Sequence, residues 1–187
     1  FHNFYKIDKY MWRSNQPSPN QIENAHNNYG IKTILNLRGP RKTGGWQLEA
    51  EICHRLDIEL INFRVRSRAA PEKEMLLKIP HLFSSIKGPT LLHCKSGADR
   101  AGLMSALYVL MVMKQPAIVA LEQLSFKYLH VKQAKTGILD AFIASYIPFE
   151  RKGIGFIKWV EDFYNPEALM LDFQSQPLAS RLVDSIL

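Results

Sequence analysis

Short runs of apolar residues alternate along the first half of the chain with longer segments in which apolar residues recur every three or four positions. The short runs predict strands, and the longer segments predict amphipathic helices. The predicted strands are Tyr10–Arg13, Ile31–Leu37, Ile58–Val65 and Thr90–His93. The predicted helices are Pro19–Tyr29, Trp46–Leu56, Pro71–Ile86, 100–113, 116–130 and 134–147. This alternation indicates an α/β fold with a central, mainly parallel sheet of four to five strands flanked by helices.

The alternating pattern ends near Pro148. The segment that follows has a helical apolar face over Ile154–Tyr164, and a last helix is expected at about 177–187. We therefore expect residues 1–147 to form the main domain, and residues 148–187 to form a C-terminal helical extension that packs on it.

The loop His93–Gly102, which joins the last predicted strand to a helix, is the candidate functional site. It holds a cysteine, Cys94, a central glycine, Gly97, and an arginine, Arg100. A strand that turns through such a loop into a helix can direct backbone N–H groups and a helix N-terminus at one point, which favours an anion. The same electric field stabilises a thiolate, so Cys94 is a candidate nucleophile.

Charge and cysteine content narrow the expected partners. The chain carries 24 Lys and Arg residues against 17 Asp and Glu, a net charge of +7, which favours acidic partners. Because no Lys/Arg cluster is interleaved with aromatic residues, no nucleic acid is expected among them. Two cysteines do not make a disulfide scaffold, and Cys53 is expected to be a buried apolar residue on a helix.

No apolar run reaches the roughly 20 residues that a membrane span requires. The sequence begins at Phe1 rather than Met, so an upstream segment, including a membrane tether, stays open. Either a cytoplasmic or a membrane-tethered location is compatible with this pattern.

The pattern His93-Cys94-x5-Arg100, between a buried strand and a helix, resembles the phosphate loop of the cysteine-based protein tyrosine and dual-specificity phosphatases. Two upstream stretches agree in their order. Met11–Ser18 (MWRSNQPS) resembles the YRSGQPS stretch of small dual-specificity members, and Ile31–Arg38 (IKTILNLR) resembles their VINLR strand. The resemblance covers about residues 8–147 and implies a phosphatase-like fold.

By this resemblance, the chain is expected to hydrolyse phosphate monoesters without a metal or other cofactor. Cys94 would attack phosphorus to form a phosphocysteine, and Arg100 would bind the phosphate and stabilise the transition state. A phosphorylated substrate, either a phosphoprotein or a phosphoinositide or other phospholipid, is the expected partner, and a phosphate or sulfate ion is expected in the loop. The expected phosphate-binding residues are Lys95, Ser96, Gly97, Ala98, Asp99 and Arg100.

Two positions depart from the family pattern. Many members carry Ser or Thr directly after the arginine, where this chain has Ala101, and Ser96 could replace that hydroxyl only in part. Many members also keep a general-acid aspartate about thirty residues before the cysteine, but Asn62–Pro71 contains no acidic residue. We prefer Asp99 as the acid, because myotubularin-like lipid phosphatases and some bacterial tyrosine phosphatases also place an aspartate just before the arginine, with an acid role assigned to it.

Other interpretations of the acid stay open. Glu72 or Glu74, after the expected loop, could supply the proton, although both also suit the first turn of a helix. Asp57 precedes a strand and is expected at its wrong end. The reaction could also proceed without an acid from the protein, with Asp99 forming a structural salt bridge at the helix N-terminus.

Basic residues around the expected site are candidate substrate contacts. Lys95 directly follows the cysteine, as in the tensin-type phosphoinositide phosphatases, and suits a multiply anionic substrate. The further candidates are Arg38, Arg66 and Arg68, whose alternative interpretation is solvated surface charge.

Two other functions compete with the active phosphatase. The missing loop acid and Ala101 also fit a catalytically weak or inactive pseudophosphatase that binds phosphate. A rhodanese-like sulfurtransferase also uses a cysteine loop, but the arginine spacing and the upstream stretches count against it.

Overall fold

The computed structural model describes residues 2–41 and 43–175 of the chain. They form a mixed α/β fold with a five-stranded sheet in the order β1-β2-β5-β3-β4. The edge strand β1 runs antiparallel to β2, and the other neighbours are parallel, so the predicted α/β class is confirmed. A two-residue strand such as β1 is too short to leave a hydrophobic pattern in the sequence. The strands are β1 (Tyr5–Lys6), β2 (Met11–Ser14), β3 (Thr33–Asn36), β4 (Glu59–Asn62) and β5 (Thr90–His93).

Eight α-helices complete the described part of the chain. They are α1 (Pro19–Tyr29), α2 (Gly44–Arg55), α3 (Lys73–Ser85), α4 (Asp99–Met111), α5 (Ala117–Ala120), α6 (Ile138–Glu150), α7 (Phe156–Asp162) and α8 (Pro166–Ser175). Helix α1 has its predicted bounds. Ser18 and Gln21 form a reciprocal capping box at its start, and Gly30 ends it with a left-handed φ of 66°.

Two predicted helices differ from the structure by more than the one or two residues seen at the ends of the others. The expected helix 116–130 is broken after α5, where Ser125 is extended, and its carbonyl oxygen accepts from the backbone N–H groups of Tyr128 and His130 in a tight turn. The helix expected at 134–147 begins at Ile138 instead, and it continues through Pro148 to Glu150 as α6. Pro148 and Ala144 are both exposed, so the carbonyl left without its helical donor can be hydrated. The helix expected at 177–187 lies outside the described residues.

The chain divides into two compact units. The first unit consists of Phe1–Val65 and Ser85–Met104, and the second of Arg66–Ser84 and Ser105–Leu187. The first unit contains the sheet, against one face of which α1 and α2 pack. Trp12, Leu91 and Ile34 lie side by side on three neighbouring strands and belong to this core.

The second unit has an aromatic core between α6 and α7. The ring of Trp159 contacts those of Phe142 and Tyr146 there, with centroid distances of 5.7 and 5.3 Å. The Tyr164 hydroxyl donates to the Pro71 carbonyl at 2.7 Å, which ties the segment before α3 to the end of α7. The domain division expected at residue 147 stays a prediction.

Within residues 2–41 and 43–175, no helix is both long enough and apolar enough to cross a membrane.

Candidate active site

The candidate site lies where three parallel strands end. Strands β2, β5 and β3 are neighbours in register, with Ser14 opposite His93 and His93 opposite Asn36. The segments that leave these strands begin with Asn15, Cys94 and Leu37. Because the carboxyl ends of parallel strands share one edge, the sheet brings the Cys94 loop and the segments after β2 and β3 together.

The loop from Cys94 to Ala98 is held from outside by its own carbonyl oxygens. Four consecutive carbonyls accept hydrogen bonds from residues near the N-terminus of the chain. The bonds are Gln16 N to Lys95 O (3.3 Å), Asn3 Nδ2 to Ser96 O (2.9 Å), Arg13 Nη2 to Gly97 O (2.8 Å) and Arg13 Nη2 to Ala98 O (3.1 Å). Arg13 is fully buried and Asn3 nearly so, so these donors form a fixed frame around the loop.

The frame determines the direction of the loop N–H groups. In a planar trans peptide, the C=O and the following N–H point in opposite directions. Carbonyls turned outward to Gln16, Asn3 and Arg13 therefore turn the N–H groups of residues 96–99 toward the inside of the loop. Helix α4 begins at Asp99, so its N-terminal dipole adds positive potential at the same place.

Gly97 is needed at the centre of the loop. Its φ is +78°, a left-handed conformation that side chains disfavour. A Cβ atom there would lie 2.7 Å from the backbone nitrogen of Asn15 and 2.8 Å from Nδ2 of Asn3. The loop therefore packs against its frame at a distance that only glycine permits.

The two cysteines are both free thiols and both 1% exposed. Cys53 lies in the apolar core on α2, where burial, followed by the nearby charge of Glu49, raises its thiol pKa to about 12. The predicted role of Cys53 as a buried apolar residue agrees with this position. Cys94, in contrast, starts the framed loop, and its backbone N–H donates to the Ser14 carbonyl at 3.4 Å.

A chain of polar side chains, buried at His93 and Glu49 and partly exposed at Gln16 and Arg38, leads from the residue before Cys94 to Arg38. Nε2 of His93 lies 2.6 Å from Oε1 of Glu49, although the approach departs from the direction of a hydrogen bond. Both side chains are at most 1% exposed. The same Glu49 oxygen accepts from Nε2 of Gln16 at 3.2 Å, and Oε1 of Gln16 accepts from Nη1 of Arg38 at 2.7 Å. Arg38 is thereby connected to the Cys94 loop through Gln16, whose backbone N–H donates to the Lys95 carbonyl.

Electrostatics support the same proximity. The pKa of Arg38 is lowered, first by its partial burial and then by the positive charges of Arg41 and Arg100. Glu49 and Cys94 act on it in the opposite direction. Arg38 is therefore close enough to Cys94 and Arg100 to interact electrostatically with both. Its role in binding substrate stays a prediction.

Other predicted site residues have different surroundings. Arg66 forms an exposed ion pair with Glu72 at 3.0 Å, and Glu74 lies in the first turn of α3. The roles of Arg66 and Arg68 in binding substrate stay predictions. Asp57 precedes β4, at the amino ends of the parallel strands, whereas Cys94 follows the carboxyl end of β5. This topology excludes Asp57 as the acid.

Arg13, Asn3, Gln16 and Glu49 were not recognised as site residues from the sequence. One signal was available for Arg13, since an arginine that follows two apolar residues, Met11 and Trp12, in a short strand must find partners when it is buried. The other three lie in a tail, a loop and a helix whose patterns do not reveal which groups they will meet. Within the described residues, no cluster of three or more His, Cys, Asp or Glu side chains could hold a metal ion.

A family comparison agrees with this architecture. A family model described as "DSP-PTPase phosphatase fused to NAD+ Kinase" matches residues 5–139. The chain belongs to this DSP-PTPase phosphatase family. The match spans the whole sheet, the Cys94 loop and its frame from Tyr5 onward. No curated protein sequence matches this phosphatase family member significantly.

Solved structures share the fold of this DSP-PTPase family member at low sequence identity. TpbA from P. aeruginosa is 16% identical, with a TM-score of 0.63 over 93% of this chain and 92% of its own. The core catalytic domain of the PP-IP phosphatase SIW14 from S. cerevisiae is 16% identical, with a TM-score of 0.60 over 81% and 90%. PTPMT1 is 17% identical, with a TM-score of 0.58 over 80% and 99%. At these identities the likeness establishes the fold.

Proposed function

We propose that the chain is a metal-independent phosphatase that hydrolyses phosphate monoesters through a phosphocysteine on Cys94. The observation that carries this proposal is the outward direction of four consecutive loop carbonyls, held by Gln16, Asn3 and Arg13. Such a loop presents several N–H groups and a helix N-terminus to one point next to a thiol. This arrangement suits both a bound phosphate dianion and a reactive thiolate.

In the proposed reaction, the phosphate is bound by the N–H groups of residues 95–100 and by the guanidinium of Arg100. The sulfur of Cys94 attacks phosphorus, an S–P bond forms, and the P–O bond to the leaving group breaks. Asp99 donates a proton to the departing oxygen, and a water molecule then cleaves the S–P bond to release inorganic phosphate. The position of Asp99 at the start of α4, beside Arg100 in the phosphate loop, supports this assignment.

The substrate is proposed to be a phosphorylated molecule. Two fold neighbours support this class by their own ligands and names: a variant of TpbA was solved in complex with pTyr, and SIW14 is a PP-IP phosphatase solved with citrate. Rates of hydrolysis on a panel of phosphopeptides, phosphoinositides and phosphatidylglycerol phosphate would show whether the substrate is a phosphoprotein or a phosphoinositide or other phospholipid.

Hydrolysis of p-nitrophenyl phosphate in the presence of EDTA tests the proposal. We expect turnover by the wild-type chain and a loss of at least about three orders of magnitude in Cys94→Ser. Cys53→Ala, which removes the other thiol, is the matched control and should keep kcat. A radiolabelled phosphoenzyme trapped by acid quench should appear in the wild type and be absent from Cys94→Ser.

A second candidate function is a pseudophosphatase, which Ala101 favours because that position is fully buried and has no hydroxyl to assist the second step. Binding of inorganic phosphate without turnover of p-nitrophenyl phosphate would select this alternative. EDTA-sensitive turnover, or full activity in Cys94→Ser, would contradict the proposed mechanism directly.

A further inference from the structure

Arg38 is held in place more firmly than a solvated surface charge requires. Its Nη1 donates to Oε1 of Gln16 at 2.7 Å, and Nε2 of Gln16 donates to the buried carboxylate of Glu49 at 3.2 Å. A guanidinium can only donate and a carboxylate can only accept, so the amide of Gln16 between them has a single suitable orientation. Glu49 and Gln16 therefore act together as a brace that fixes the position of Arg38.

The brace is also connected to the Cys94 loop. The backbone N–H of Gln16 donates to the carbonyl of Lys95, and Glu49 contacts His93, the residue before Cys94. The backbone N–H of Leu37 donates to the His93 carbonyl at 3.0 Å, which fixes the segment that leads into Arg38. The position of Arg38 is thus set relative to the phosphate loop by side-chain and backbone contacts.

Arg38 lies near two other guanidinium groups, those of Arg41 and Arg100. Partial burial lowers the pKa of Arg38 most, and the positive charges of Arg41 and Arg100 lower it further, while Glu49 and Cys94 act in the opposite direction. Bringing like charges together costs free energy that a bound anion can return. The loop N–H groups and Arg100 already suffice for one phosphate, so a braced Arg38 beside them is available to a different anionic group.

We propose that Arg38 is a specificity-determining residue that contacts a second anionic group of the substrate, next to the phosphate in the Cys94 loop, and that Gln16 and Glu49 are its positioning residues. This inference deepens the proposed function and rests on it, because the second group is defined relative to the phosphate in the loop. The preferred substrates are phosphate esters whose leaving group carries a further phosphate or carboxylate.

Methylphosphonate and methylenediphosphonate form a matched, non-hydrolysable pair of probes that differ by one anionic group. Calorimetry gives the dissociation constant of each, and the ratio of the two constants reports the contribution of the second group. We expect the wild-type chain to prefer the diphosphonate, and Arg38→Gln to reduce that preference about tenfold, as for the loss of one charge-assisted hydrogen bond. Arg55→Gln removes an equal charge from an exposed ion pair with Glu23, and should keep the ratio.

Gln16→Met separates positioning from charge. It removes both side-chain hydrogen bonds of the brace and keeps the formal charge and nearly the size of the side chain. We expect the diphosphonate preference to fall, whereas a purely electrostatic role for Arg38 predicts an unchanged ratio. An unchanged ratio in Arg38→Gln overturns the whole inference, and an unchanged ratio in Gln16→Met alone overturns the positioning role.

Turnover of p-nitrophenyl phosphate, measured on the same wild-type preparation, keeps this test distinct from that of the proposed function. A diphosphonate preference that depends on Arg38, found without any turnover, would refute the phosphatase proposal and retain the anion subsite. Turnover that depends on Cys94, found without a preference for the diphosphonate, would support the phosphatase proposal and refute the anion subsite at Arg38. Thermal unfolding of each variant confirms that the compared proteins are folded.

Discussion

Gly97 shows how strongly a single residue can be constrained by its surroundings. Its backbone is left-handed, and a Cβ atom would meet Asn15 and Asn3 at 2.7 and 2.8 Å. Gly30, at the end of α1, is also left-handed, but apart from its immediate chain neighbours nothing lies within 4 Å of its hypothetical Cβ. The two glycines therefore share the same conformational cost of substitution and differ in steric contact with the loop frame.

This pair of glycines provides a matched prediction. Gly30→Ala should lower the free energy of unfolding by about 1–2 kcal/mol, the cost of a left-handed alanine, and leave kcat/KM for p-nitrophenyl phosphate unchanged. Gly97→Ala should lower stability further and abolish turnover, because the loop must move away from Asn3 and Asn15. Urea unfolding and steady-state kinetics measure both effects. An equal loss of kcat/KM in the two variants would contradict the prediction that Gly97 is required for the geometry of the loop.

Asp99 can be tested by the dependence of the reaction on the leaving group. p-Nitrophenolate leaves with little protonation, whereas the oxygen of phosphoserine needs a proton in the transition state. We therefore expect Asp99→Asn to reduce kcat/KM for a phosphoserine peptide by about 10²–10⁴-fold, the usual contribution of a general acid, and that for p-nitrophenyl phosphate much less. Full activity of Asp99→Asn on phosphoserine would leave Asp99 with a structural role at the start of α4.

At the level of secondary structure, sequence patterns predicted the elements that carry the site. Strand β5 and the loop after it follow from a short apolar run, and α1 follows from Ser18, Pro19 and Gly30, whose local chemistry fixes its ends. The segment after α5 was predicted wrongly because its apolar spacing fits a helix, while the backbone turns around Ser125. The spacing of apolar residues does not show where a helix is interrupted. The interruption here depends on backbone hydrogen bonds to the Ser125 carbonyl, which that spacing does not predict.

The frame of the loop marks the limit of what the sequence could predict. Cys94, Gly97 and Arg100 were identified because their spacing is local and characteristic. Arg13 and Asn3 donate to loop carbonyls more than 80 residues away in the sequence. Such contacts arise only after β2 and β5 pair, so strand order had to be known first. The same reason explains why Glu49, on α2, was not expected beside His93.

At the level of the whole molecule, the reactivity of the two thiols can report whether the chain is folded. Burial does not distinguish them, since Cys53 and Cys94 are both 1% exposed. Their surroundings do, because the pKa of Cys53 is raised to about 12 by the apolar core, while the proposed site must admit an anion to Cys94. Cys53 therefore stays a neutral thiol in the folded chain across the pH range in which an unfolded cysteine ionises.

The sign of this effect predicts how stability varies with pH. A raised folded-state pKa means that the folded chain binds the Cys53 proton more tightly than the unfolded chain does. The resulting stabilisation is complete below the unfolded thiol pKa of about 8.5 and is lost as pH rises from there toward about 12. Unfolding should therefore be easiest at alkaline pH, and it should expose Cys53 as a second reactive thiol.

Iodoacetate labelling at pH 8 checks this difference between the thiols. In the folded chain we expect modification of Cys94 alone, because iodoacetate is an anion that the proposed loop attracts and a thiolate attacks. Inorganic phosphate should slow this modification by occupying the loop, whereas chloride at equal ionic strength should not. In urea, both cysteines should react at similar rates, with Cys53 now exposed. Mass spectrometry of tryptic peptides assigns each site, and labelling of Cys53 in the folded chain as fast as Cys94 would contradict the anion-binding assignment of the loop.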